Sequence, residues 1–125
     1  MTAQWGTTGF FAAASLLGMS LPVAAQVAAT AAEQQEADYR VIAARCGTPA
    51  FEKTFSFQSR AAVAAGLVPG AGDTAAIEKR ITALRRSPFV LVAAPADCPP
   101  QLKLLAELQK SRHGALAGKR AVKSR

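Results

Sequence analysis

Charge is missing from the first thirty-two residues, for Met1 to Ala32 contain no Asp, Glu, Lys or Arg. A stretch without charge is a poor start for a solvated domain and a good one for a targeting segment. Within it Phe10, Phe11, Ala12 to Ala14, Leu16, Leu17, Leu21 and Val23 make an apolar run the length of a secretory h-region, closed by Pro22 and the small residues Val23, Ala24 and Ala25. Residues 1–25 are therefore expected to be a cleavable export signal, since a peptidase pocket that admits only small side chains accepts Val23 and Ala25. Ala29 and Ala32 offer further cleavage points. A basic opening is lacking too, because only the terminal amine precedes the apolar run. The rival reading is a membrane anchor left uncleaved: Phe10 to Ala29 has the length of a span, about 20 residues. Ser15, Ser20, Pro22, Gln26 and the dominance of alanine over leucine make its insertion weak. The expected location is periplasmic or secreted.

Residues that carry chemistry are as scarce. The only histidine, His113, stands beside Gly114, a poor place for a general base that needs fixed geometry. No P-loop, dinucleotide turn, nucleophile elbow or carboxylate pair is present, and two cysteines with one histidine fall short of a closed zinc site. No catalytic, cofactor or metal residue is assigned, and a non-enzymatic protein is expected. The two cysteines, Cys46 and Cys98, are too far apart for a redox C-x-x-C pair and fit one structural disulfide in an oxidising compartment.

What is present suits one small helical domain, 33–112, after a flexible mature start at 26–32. Tyr39, Ile42 and Cys46 recur at helical spacing, which predicts a helix from Ala31 to Cys46, with Glu36 and Arg40 as an i, i+4 pair. Glu33, Glu36 and Asp38 read as exposed charges at its start. Gly47 is expected to end it in the left-handed conformation, and Thr48-Pro49 to open a second helix that runs to about Gly66. Thr54 to Ser59 also alternates with period two, so a half-buried strand stays open there. Asp73 caps a third helix with Ile77, Ile81 and Leu84 inward and Lys79, Arg80, Arg85 and Arg86 elsewhere around the axis. Ser87 to Pro95 is a continuous apolar run that reads as a strand or as a short helix, with a slight lean to the strand. Asp97 is expected to cap a last helix from Cys98 to about Arg112, with Leu102, Leu104, Leu105 and Leu108 inward and Pro99 and Pro100 in its first turn. The fold class is thus mainly α: a small disulfide-linked bundle of about four helices, with room for a short strand near 88–94.

Acid runs out after Glu107. Lys110, Arg112, Lys119, Arg120, Lys123 and Arg125 are six basic residues with no acid among them, so nearly all of the net charge of +7 belongs to the C-terminal end. Residues 113–125 read as a basic, disordered tail, and those six residues as an anion-binding element. The expected function is binding, either to an envelope protein or to an anionic envelope polymer or lipid headgroups. Nucleic acid is disfavoured by export and by the lack of stacking aromatics beside the charges. The alternative is a periplasmic chaperone-like or stress-response protein, since small acid-stress chaperones share the plan of signal, helical domain and one long-loop disulfide. That is an analogy of architecture alone.

Overall fold

The computed structural model describes residues 23–90 and 94–123, of which 23–30 as backbone. Four helices account for most of them: α1 Val23–Cys46, α2 Pro49–Ala64, α3 Thr74–Leu84 and α4 Cys98–Lys123, with one 3-10 turn, Pro95–Asp97, ahead of α4. The result is a small helical bundle without strands among the described residues. Most of the expected export signal, residues 1–22, lies outside them.

α1 begins earlier than its apolar stripe. Residues 26–32, expected to be flexible, are part of it, because Gln26-Val27-Ala28-Ala29-Thr30-Ala31-Ala32 is rich in alanine, the strongest helix former. From Glu33 to Ala43 the helix is buried on almost every side, since α2, α3 and α4 all pack against it. Two apolar clusters result. One joins Ala37 to Ala62, Val63, Val68, Ile77 and Ile81. The other joins Ile42 and Ala43 to Phe55 and Leu105, with Tyr39, Cys46, Phe51, Val90 and Leu108 against it.

The corner after α1 works by close approach. Gly47 does not adopt a positive φ. A Cβ there would stand 2.6 Å from the Ala43 carbonyl oxygen and 2.7 Å from the Phe51 ring, so only glycine lets α2 turn back this tightly. Thr48 caps α2 as expected, accepting from the Phe51 amide at 3.2 Å, and Pro49 occupies its first turn. The period-two pattern at 54–59 is helical after all. Phe55 is buried against α1 and Phe57 is turned outward, because helix-to-helix packing on α1 overrides local alternation. Gly66, with φ +74°, ends α2 in the left-handed conformation instead.

Asp73 Oδ1 accepts from the Ala76 amide at 2.8 Å and caps α3, whose Ile77 and Ile81 are buried. The expected strand near 88–94 is absent at 88–90, and 91–93 lie outside the described residues. Among the described residues no strand lies beside this segment. Its backbone is held by side chains of α1: Gln34 Nε2 donates to the Ser87 carbonyl at 3.3 Å, and the Phe89 amide donates to Asp38 Oδ1 at 3.0 Å. In α4, Leu105 is fully buried and Leu108 partly so, but Leu104 lies on the outer face and is half exposed.

Cys46 and Cys98 are disulfide-bonded with Cα atoms 5.2 Å apart, which fastens the end of α1 to the start of α4. A disulfide is compatible with an exported protein, and so is the lack, among the described residues, of a helix long and apolar enough to cross a membrane. The bond closes a loop over a separation of 52 residues. Its removal by Cys98→Ser with Cys46→Ser is expected to lower the unfolding free energy by up to about 4 kcal/mol, read as a fall in the urea midpoint.

Candidate functional site

As far as Lys123 the C-terminal basic residues do not form a free tail. α4 continues without a break through His113 and Gly114 to Lys123. Three contacts hold it. Arg112 is buried and donates to both carboxylate oxygens of Glu36, at 2.8 and 2.5 Å. One turn on, Leu116 is buried as well. Lys119 Nζ then donates to the Ala65 carbonyl at the end of α2, where a helix terminus carries partial negative charge. These contacts, with Ala, Leu, Lys and Arg as good helix formers, outweigh the roughly 1 kcal/mol that each of Gly114 and Gly118 costs a helix.

Arg112 is held by a chain of buried polar groups that sequence reading missed. Glu36 also accepts from the Ser59 hydroxyl at 2.5 Å, and Ser59 Oγ accepts from Arg40 Nε at 2.7 Å. Arg40 in turn donates to both oxygens of Glu78, at 2.6 and 2.8 Å. Glu33, also buried, takes both Nε and Nη2 of Arg80, which donates as well to the Ala71 carbonyl. Glu33 and Glu36 are therefore not exposed charges near a helix start, and Arg40 pairs with Glu78 and not with Glu36. The clue was in the spacing. Glu33, Glu36 and Arg40 recur at i, i+3 and i+7 around Ala37, the pattern of a buried stripe.

Electrostatics follows this wiring. Arg40, first by its hydrogen bonds, holds the Glu78 carboxyl below its ordinary value of 4.5. Glu33 raises Arg80 in the same way. Partial burial, and then the charge of Glu36, push the Tyr39 phenol up.

The six C-terminal cations thus separate by role. Arg112 is internal and Lys119 closes α2, while Lys110 stands 3.9 Å from Glu107. Arg120 and Lys123 are exposed and enter no ion pair among the described residues; Arg125 lies outside them. Arg120 and Lys123 border an open groove between the end of α2 and the last three turns of α4. Its floor is mostly apolar and built largely of small residues, Ala61, Ala64, Ala65, Ala115 and Gly118, with Leu116 and the 76% exposed Val122 also lining it. Sequence reading found the cations but not this floor, which two helices 50 residues apart in the chain build together. Compared with known proteins, the chain matches no protein-family model, no curated protein and no solved structure.

Glu36→Ala would leave Arg112 buried and unpaired, and is expected to cost about 3–5 kcal/mol in urea unfolding. Glu36→Leu combined with Arg112→Met should recover part of that loss, because neither charge then needs a partner while the Ser59 hydroxyl still loses its acceptor. The folded Glu78 carboxyl titrates below its unfolded value, so its stabilisation is complete above pH 4.5 and is lost as pH falls through the folded value. Glu78→Gln is therefore expected to flatten the acid side of the stability–pH curve measured by urea midpoint.

Proposed function

We propose that the protein is a small exported, non-enzymatic binding protein that docks on anionic lipid headgroups of the envelope through the end of α4. The observation that carries this reading is the apolar groove between α2 and α4 bordered by Arg120 and Lys123. An interfacial element needs both parts: apolar surface to enter the headgroup boundary and cations to meet phosphates. A second copy of the chain is a poor occupant, since it would bring the same cations against these. Ser59 is not a nucleophile in this reading, for its hydroxyl is fully buried and both of its hydrogen bonds are internal. His113 is exposed on α4 and stays without a catalytic role.

All three expected cleavage points, Ala25, Ala29 and Ala32, precede Glu33, so the mature chain would keep every charged group that fastens the bundle. The protein as the cell processes it is expected to co-sediment with vesicles containing phosphatidylglycerol and not with neutral phosphatidylcholine vesicles. Binding should fall as salt is raised, since screening shortens the reach of surface charge to about 10 Å at 0.1 M. Arg120→Glu with Lys123→Glu should weaken it at least about tenfold, at roughly 1 kcal/mol for each cation removed and more for its reversal. Equal binding to neutral vesicles, or a charge-reversed variant that binds as well as the parent, would refute the reading.

A further inference from the structure

We infer a second docking site on the outer side of α2, taking an acidic segment of another protein chain that carries an apolar side chain. It shares no residue with the groove at the end of α4. It also stands whether or not that groove meets lipid.

The site is a concave surface between the first part of α2 and the end of α3, built by Lys53, Phe57 and Arg60 of α2 and by Arg85 at the close of α3, with Glu52 as the one acid on its walls. Phe57 is 76% exposed within it. A lone exposed apolar residue is ordinary on a surface. Here the ring stands in a hollow among three cations, and that combination points to a ligand. Aromatic and arginine side chains together are the usual anchors of a protein contact, the ring filling an apolar site and the guanidinium a carboxylate.

Two of the cations are unengaged among the described residues and the third is only loosely held. Among the described residues Lys53 and Arg85 form no ion pair. Arg60 is 66% exposed and has only Glu78 within reach, at 3.9 Å, and both oxygens of that carboxylate are already taken by Arg40. An incoming carboxylate therefore meets Lys53 and Arg85 without an ion pair among the described residues, and Arg60 held only by its 3.9 Å contact. The sign of the walls selects an acidic partner. The shape selects a chain segment over a membrane, because a flat array of phosphates would be pressed against Glu52, while a peptide can lay one apolar side chain on Phe57 and its acids to either side. A single ring offers no series of stacking platforms for nucleic acid.

The test uses the full chain and a fluorescent peptide of alternating glutamate and leucine, followed by anisotropy at low salt, with a glutamine–leucine peptide as its neutral counterpart. The expected result is saturable binding of the glutamate peptide, at least about tenfold weaker binding of the glutamine peptide, and at least about tenfold losses on Phe57→Ala and on Arg85→Glu. Both side chains are outside the core, and helical circular dichroism with an intact disulfide would confirm that each variant folds. The Arg120→Glu, Lys123→Glu variant should bind the peptide as the parent does, which separates this site from the groove at α4. No saturable binding of the glutamate peptide, equal binding of the glutamine peptide, or parental affinity in Phe57→Ala and Arg85→Glu would each overturn the inference. So would a loss of vesicle binding in those two variants with the peptide still bound, since that would make the hollow a lipid-facing surface.

Discussion

Everything in the bundle is tied to the pair of charges that α1 buries in its middle. Glu36 and Arg40 face different partners, Arg112 on α4 and Glu78 on α3, and the Ser59 hydroxyl of α2 joins the two pairs by donating to one and accepting from the other. Four helices thus meet in one hydrogen-bonded chain. Buried charges add little net stability compared with apolar groups of the same shape, because desolvation offsets most of their attraction. Their geometry is another matter. An apolar contact tolerates sliding by a fraction of a turn, whereas a guanidinium aligned on both oxygens of a carboxylate does not.

That constraint decides where α4 goes. The disulfide holds its start at the end of α1, Arg112 holds its middle on Glu36, and Lys119 holds its last third on the carbonyl that closes α2. With three points fixed, the helix lies along α2 and runs beyond it. The small side chains of both helices are left facing each other across an open groove, and Arg120 and Lys123 fall at its edge. On the far half of α2 the same wiring leaves a different surface, since Arg40 takes the close hydrogen bonds of Glu78 and leaves Arg60 at 3.9 Å from it. One helix therefore borders two surfaces, each cationic and each partly apolar, at separate places along its length. In the functional reading proposed here the protein joins an anionic surface to an acidic protein partner without catalysing a reaction.

Much of the fold was legible in the residues. Thr48-Pro49 and Asp73 mark helix starts because their side chains or ring satisfy the needs of a first turn locally. Ile77 and Ile81 lie inward because their spacing matches one helical face. The cysteines pair because the end of α1 and the start of α4 bring their Cα atoms to 5.2 Å. Glycines were harder. Gly47 looked like a left-handed stop and is instead a point of close contact, a difference that depends on where the Phe51 ring lies.

What the sequence by itself determined was therefore local: four helices, their caps, the cross-link and an excess of positive charge toward the C-terminus. Only the tertiary structure decided which charges are inside. Glu33, Glu36, Arg40 and Arg112 have the composition of a solvated surface, and each is buried because its partner lies on another helix, at a distance along the chain that periodicity does not see. The same holds for the cationic end. A string of lysines and arginines reads as a tail until Arg112 finds Glu36 across 76 residues, and with that contact made the chain is helical as far as Lys123.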